Sequence, residues 1–254
     1  MSEDVLFEVD GPVAVITLNR PERLNAISSG IRRGLGEAWQ RFEEEESLKV
    51  AILTGSGEKA FCAGMDLKEA AATGIGVPPR NFLPVLGDNA HVSKPVIAAV
   101  NGVAYAGGWL LAQMCDLCIA SENASFAITE AKVGRGVPWV PPLIHMLPQR
   151  IVMELLLTGL PLSARRAHEL GYVNAVVPVD RLRGAAMEMA LTIARNAPLT
   201  VRAARELVYL STEMGRSAAL RAGRDIFEPV YLSEDAKEGP RAFAEKRQPN
   251  WKGR

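Results

Sequence analysis

The 254-residue chain is poor in cysteine and histidine and carries no excess of charge. Its three cysteines, Cys62, Cys115 and Cys118, are too few and odd in number for a disulfide framework. Cys115 and Cys118 form a CxxC, but no second pair and no neighbouring histidine completes a metal site. Their setting, MCDLCIAS, reads as a helix end running into a buried strand, so both are expected in the core. Lys+Arg and Asp+Glu are both 29, which leaves no net charge and argues against a nucleic-acid partner, since that needs a basic surface. A small anion held by a local basic patch stays open. No apolar run approaches the ~20 residues of a membrane span. The acidic opening MSEDVLFEVD lacks a basic stretch followed by an apolar one, so a cytoplasmic protein with no membrane partner is expected.

Familiar reaction signatures are missing too. There is no GxSxG nucleophile elbow, no GxGxxG or GxxxxGK[ST] phosphate loop and no HExxH. His91, His145 and His168 sit in unrelated contexts, and His145, within the apolar PPLIHMLP, reads as a packed or partly exposed histidine rather than a base. Without a nucleophile–base pair, chemistry must rest on backbone groups and carboxylates.

What is present reads as strand–helix alternation. Val5, Phe7 and Val9 alternate up to an Asp10-Gly11 turn, and PVAVITLNR follows as the second arm of a hairpin. Ile31, Leu35, Ala38, Trp39 and Phe42 share one helical face, with Ser28 or Ser29 as N-cap. VAILTG (50–55), PVIAAVNG (95–102), LCIAS and YVNAVV (172–177) read as strands. FCAGMDLKEAAA and YAGGWLLAQMCD turn from strand or turn into helix. Residues 73–90, rich in Gly and Pro, read as a mobile loop ending in a helix that leads to His91. From Ile151 onward helices dominate, with three long ones over about 180–195, 198–212 and 216–246. The class is α/β, in a single domain of 1–254 whose core spans about 1–195 and whose helical extension spans about 196–254.

Two segments share one physical theme. AFCAGMDL and VNGVAYAGGWLL each run a strand into a glycine turn and then into a helix, leaving N–H groups without intrahelical partners. Such groups favour negative charge, and glycine admits close approach of a ligand. Taken singly, each is equally an ordinary tight turn. Asp66, with Glu69 three residues on, equally resembles a capping box.

The pair, in this order, resembles the crotonase superfamily, also called the enoyl-CoA hydratase/isomerase family. The resemblance covers nearly the whole chain: NRPERLNAIS (19–28), GEKAFCAGMDLKE (57–69), KPVIAAVNGVAYAGGWLLAQMCDLCIASENASF (94–126), ITEAKVG (128–134), LLLTGLPLSARRAHELGYVNAVVP (155–178) and FAEKRQPNWKG (243–253). It implies a crotonase-like spiral of ββα units with a helical C-terminal trimerisation region, and a homotrimer or dimer of trimers. It implies an acyl-CoA thioester substrate and no cofactor beyond the coenzyme A carried by that substrate. The thioester carbonyl would sit between the N–H groups of Ala63 and Gly107. CoA would run along Arg23, Leu24 and Ala26 and along Gly64, Met65, Asp66 and Leu67. Phe243 and Lys246 of a neighbouring subunit would approach its adenine and phosphates. Arg23 and Lys59 are candidates for the phosphates or for solvated surface.

The physics suits that implication. Removing a proton alpha to a thioester, or adding a nucleophile beta to it, puts negative charge on the carbonyl oxygen. Preorganised N–H donors stabilise that charge more than the neutral ground state. Family hydratases hold water between two glutamates. One matches Glu130; the other position is Leu110, which moves no proton. GRGVPWVPP (134–142) stands where a glycine-rich run is usual, so Trp139 and the prolines should reshape the acyl pocket. One glutamate facing an apolar residue is similar to the family's 3-enoyl to 2-enoyl-CoA isomerases. Isomerisation is therefore expected ahead of hydration, with decarboxylation, thioester hydrolysis or non-catalytic acyl-CoA binding as alternatives.

Overall fold

The structure, a computed structural model, describes residues 3–74 and 76–254. The hairpin forms as expected: β1 (Val5–Asp10) and β2 (Val13–Leu18) pair antiparallel, and Gly11 turns the corner with φ 54°. In α1 (Ser29–Glu44) the cap is Ser28, whose hydroxyl accepts from Ile31 N–H, and the apolar face read from the sequence is buried.

Three units follow. The first is β3 (Val50–Gly55), β4 (Ala60–Cys62) and α2 (Leu67–Thr73). The second is β5 (Val96–Val100), β6 (Val103–Tyr105) and α3 (Gly107–Gln113). The third is β7 (Leu117–Ser121), β8 (Ser125–Ala127) and, after a long connection, α4 (Gln149–Thr158). Next come β9 (Leu162–Ser163), α5 (Ala164–Glu169), β10 (Ala175–Val177) and α6 (Leu182–Ala194). The chain ends in α7 (Pro198–Glu213), α8 (Arg216–Leu232) and α9 (Asp235–Ala244).

Each unit gives its first strand to a six-stranded sheet, ordered β1-β2-β3-β5-β7-β10, and its second to a four-stranded sheet, ordered β4-β6-β8-β9. This is the ββα spiral. The inner strands of the larger sheet are parallel and covered on both faces, which is why VAILTG and VIAAV read as unbroken apolar runs. Val50, Ile52, Ile97 and Ala99 pack on Ala186 and Ala190 of α6, while Leu53, Ala98 and Val100 face the main core.

Several expectations are corrected. The 73–90 segment does not end in a helix among its described residues. Instead Asn89 pins a series of turns, donating to Arg80 O and Leu83 O and accepting from Val85 N–H. Ile75 lies outside the described residues. The strand over 172–177 shrinks to Ala175–Val177. The helix expected over 216–246 is two, broken at Ser233 and Glu234. The chain end folds back over that break: the Asp235 carboxylate accepts from Lys252 and Gly253 N–H, and Glu234 N–H donates to Arg254 O. All three cysteines are free and buried, and burial pushes the Cys62 and Cys118 thiols up to about 12. Among the described residues no helix is long and apolar enough to cross a membrane.

The helical end is tied to the core at one acid. Asp116, between α3 and β7, accepts at 2.7 Å from Arg205 Nε, Tyr209 Oη and Val96 N–H. Asp116→Ala would strand a mostly buried guanidinium, a loss on the order of 3 kcal/mol. A clear drop in melting temperature is expected, larger than for Asp116→Asn, which still accepts hydrogen bonds.

Candidate active site

β4, β6 and β8 lie side by side and parallel, so their carboxyl ends form one rim. The chain leaves β4 through Ala63, Gly64 and Met65, leaves β6 through Ala106 and Gly107, and leaves β8 through Ile128, Thr129 and Glu130. In open parallel sheets that rim is where ligands collect. Three segments far apart in sequence are thus brought together by strand pairing alone.

The two glycine turns touch. A Cβ built on Gly64, at φ 92°, would lie 2.9 Å from Ala106 Cβ and 3.5 Å from Gly107 N. One built on Gly108 would lie 2.0 Å from the Cys62 carbonyl oxygen. Behind them Trp109 is buried against Phe126 and Tyr172, with ring centroids 5.5 and 5.7 Å away, which fixes the roll of α3. Gly107 opens α3, so its N–H has no carbonyl one turn earlier to bond.

Ala63 does not meet the role expected of it. Its N–H donates to Leu24 O at 3.0 Å and is no longer available to a ligand. Ile27 N–H donates to Gly64 O and Asp66 N–H to Ile27 O, an arrangement that turns the amide of Met65, lying between them, the other way. Among the described residues no acceptor takes up Met65 N–H. The free donor beside Gly107 is therefore Met65, two residues later than expected.

The expected CoA segments do meet. Residues 24–27 run against 63–66 through those same bonds. Arg20, unremarked in the sequence, staples them: its Nη1 donates to Ala26 O at 3.0 Å and to Asp66 Oδ2 at 3.1 Å. Asn25 is the buried anchor beneath, donating to Ser56 O and Ala60 O, while it and Leu24 both take left-handed backbone. Asparagine tolerates that conformation, which is the one signal in the sequence for it. Asp66 caps α2, accepting from Lys68 and Glu69 N–H. Burial raises its carboxyl, but those bonds and Arg20 outweigh burial and hold it below its ordinary value. The capping box does not close, because the Glu69 carboxylate goes to Ser29 N–H and Arg32 instead.

Arg23, Lys59 and Leu67 stand exposed near these segments. Phe243, 86% exposed, and Lys246 lie at the end of α9, which packs on α8.

Glu130 is buried, 8% exposed, in a 3-10 turn at Glu130–Lys132. Its Oε2 has no hydrogen-bond partner among the described residues. Burial raises its pKa; the polar N–H groups nearby, of its own and the Thr129 backbone and of the Trp139 side chain, oppose this without cancelling it. Leu110 and Trp139 are half-buried and pack against the core. The residue missed here is Gln113, at the end of α3, whose Nε2 donates to Trp139 O at 2.7 Å. The arrangement offers two main-chain donors and one protonatable carboxyl of raised pKa, on a rim otherwise apolar at Leu110.

Comparison with known proteins gives the family. The family model described as enoyl-CoA hydratase/isomerase matches residues 8–254. Carnitinyl-CoA dehydratase of Salmonella agona is 43% identical over 267 residues, covering all of both chains. The crystal structure of an enoyl-CoA hydratase from Mycobacterium tuberculosis matches at TM-score 0.92 and 40% identity, over 99% of each chain. One from Mycobacterium marinum matches at 0.91 and 39%, over the same shares.

The raised carboxyl of Glu130 has a stability consequence. A folded-state pKa above the unfolded value favours the fold fully below the unfolded value, and that support is lost as pH rises through the folded value. Glu130→Gln is therefore expected to melt higher than the parent at pH 8, with the gap closing by pH 4. Calorimetry at the two pH values checks it.

Proposed function

The chain belongs to the enoyl-CoA hydratase/isomerase family, and from that premise we propose that it moves a proton on an enoyl-CoA thioester with Glu130 as the only acid–base group. The thioester oxygen lies between Met65 N–H and Gly107 N–H. CoA follows the groove between residues 24–27 and 63–66. The favoured reaction is isomerisation of a 3-enoyl-CoA to the 2-enoyl-CoA. The Glu130 carboxylate takes a C2 proton, and the electron pair spreads into a dienolate whose charge rests on the thioester oxygen. Glu130 then returns the proton at C4, so no other reactant is needed. The observation that carries this is Leu110, where a second carboxylate would otherwise hold water. Burial also raises the Glu130 pKa, which makes its carboxylate a stronger base toward a weak carbon acid.

A second reading is hydration or dehydration, favoured by relatives that carry hydratase and dehydratase names. There Glu130 removes the C2 proton and delivers it to the departing 3-hydroxyl on the same face. Assembly is proposed to be trimeric, or a dimer of trimers, because Val208, Leu220, Tyr231 and Leu232 of the C-terminal helices stand exposed. The adenine end of CoA would then meet Phe243 and Lys246 of a neighbour.

Parallel assays with 3-hexenoyl-CoA and crotonyl-CoA separate the two reactions by which substrate turns over faster. Glu130→Gln should lower kcat on the better one by at least about 10² while acyl-CoA affinity holds. Near-normal turnover by a folded variant would end the single-carboxylate mechanism. Light scattering at micromolar concentration should report a trimer or hexamer, and a stable monomer would remove the assembly proposal.

A further inference from the structure

The two donors at the rim are backed in different ways. Gly107 N–H shares its peptide with Ala106 O, and that oxygen accepts from Leu110 N–H at 3.1 Å in the first turn of α3. Met65 has no such turn behind it, because α2 starts beyond it at Leu67. Its peptide is held from another direction. Met65 N–H shares a peptide with Gly64 O, which accepts from Ile27 N–H at 2.8 Å. Ile27 N–H in turn shares a peptide with Ala26 O, which accepts from Arg20 Nη1 at 3.0 Å. In a trans peptide the N–H and the C=O point opposite ways. Two peptides therefore stand head to tail between the Arg20 guanidinium and the free amide of Met65.

Arg20 is fixed at the far end of this chain. The same Nη1 donates to Asp66 Oδ2 at 3.1 Å, Nε lies 3.9 Å from Asp4 Oδ2, and the side chain is only 18% exposed. Its main chain carries the turn that delivers Ala26: Arg20 N–H donates to Asn25 Oδ1 and Arg20 O accepts from Asn25 N–H, both at 2.9 Å. On the other side of Met65, Asp66 N–H donates to Ile27 O at 3.1 Å. The amide between these bonds has little freedom to turn.

We propose that Arg20 is a positioning residue for enolate formation: its cation, acting through the 26–27 and 64–65 peptides, aims and polarises Met65 N–H toward the thioester oxygen. This rests on Met65 N–H being a donor to that oxygen. Hydrogen bonds in a chain polarise one another, by roughly 10–30% per bond, so a cation at one end strengthens the donor at the other. The gain is larger for an enolate oxygen than for a neutral carbonyl, since a stronger donor gains more against a fuller charge. Asp66 and Asp4 offset part of the Arg20 charge at a distance; the effect on Met65 is carried by the bonds themselves. α3 does for Gly107 with a helical turn what Arg20 does for Met65 with a side chain.

The test uses the full-length protein with Arg20→Met, which loses charge and donors, and Arg20→Lys, which keeps the charge. Two readouts are taken with butyryl-CoA. One is C2 proton exchange in heavy water, which reports enolate formation whichever reaction follows. The other is the infrared stretch of the bound thioester carbonyl, isotope-labelled at that carbon. Losing an oxyanion donor outright costs about 10²–10³ in rate, so weakening one should lower kcat for exchange in Arg20→Met by about tenfold. The bound carbonyl, shifted to lower frequency in the parent, should move back toward its value in water. Arg20→Lys should keep most of both effects. If folded Arg20→Met raises KM but leaves kcat and the carbonyl frequency at saturation unchanged, Arg20 only braces the CoA groove and the proposal is overturned. Equal losses in Arg20→Lys and Arg20→Met would overturn it as well, because the cation would then be immaterial. Should Arg20→Met fail to fold, Arg20→Gln, which keeps a neutral donor, gives the same comparison with Arg20→Lys. The parent separates the two levels. A bound carbonyl unshifted from water removes the donor role of Met65 itself; a shifted one that Arg20→Met leaves in place removes only the role of Arg20.

Discussion

Everything at the rim depends on how closely α3 approaches the end of β4. The Cys62 carbonyl occupies the space where a side chain at 108 would begin, and the Ala106 Cβ takes the space a side chain at 64 would need. This close contact sets Gly107 N–H beside the Met65 turn. It also forces Ala106 into φ 51°, ψ −123°, a region sparsely used by residues other than glycine. Strain at a single residue is tolerable because Trp109, locked between Phe126 and Tyr172, leaves the helix no other seat. Packing one turn into the helix thus determines the direction of an amide at its first residue.

With the donors fixed by the main chain, the reaction is left to side chains around the carboxyl. Burial disfavours the charged form of Glu130, and polar N–H groups of the 129–139 segment favour it. The balance of those two effects sets how readily the carboxyl takes and releases a proton. It is a local balance, since no charged neighbour enters it. The acid therefore answers to burial and hydrogen bonding, both of which change when substrate displaces water from the rim.

Local signals in the sequence were legible and longer-range ones were not. Asp10-Gly11 and Ser28 act on their immediate neighbours, so turn and cap could be read directly. The strands β6, β8 and β9 hold two or three residues each and exist only through pairing with distant partners, so no periodicity announces them. The break after α8 is similar. Pro229 and Pro240 lie inside helices, while the break falls at Ser233 and Glu234, where the folded-back chain end supplies hydrogen bonds. At the site, Glu130 and Gly107 were found through family motifs. Ala63 was misplaced because which amide is free depends on how 61–66 pairs with Leu24 and Ile27, a relation invisible along one strand. Arg20, Asn25 and Gln113 escaped notice for the same reason: each acts through carbonyls contributed by other segments.

The donors Met65 and Gly107 are amides, and this shapes how such a protein can change over generations. A codon change at either position alters a side chain but, unless it writes proline, leaves the N–H in place. On the proposed mechanism, affinity for a developing enolate is therefore shielded from most single substitutions. Residues such as 110, 113 and 139 have no such protection. Variation is free to sample new acyl groups and new proton routes there without first losing the capacity to stabilise the intermediate. A scaffold of this kind separates what is inherited from what is explored, and the boundary between them is the one between backbone and side chain.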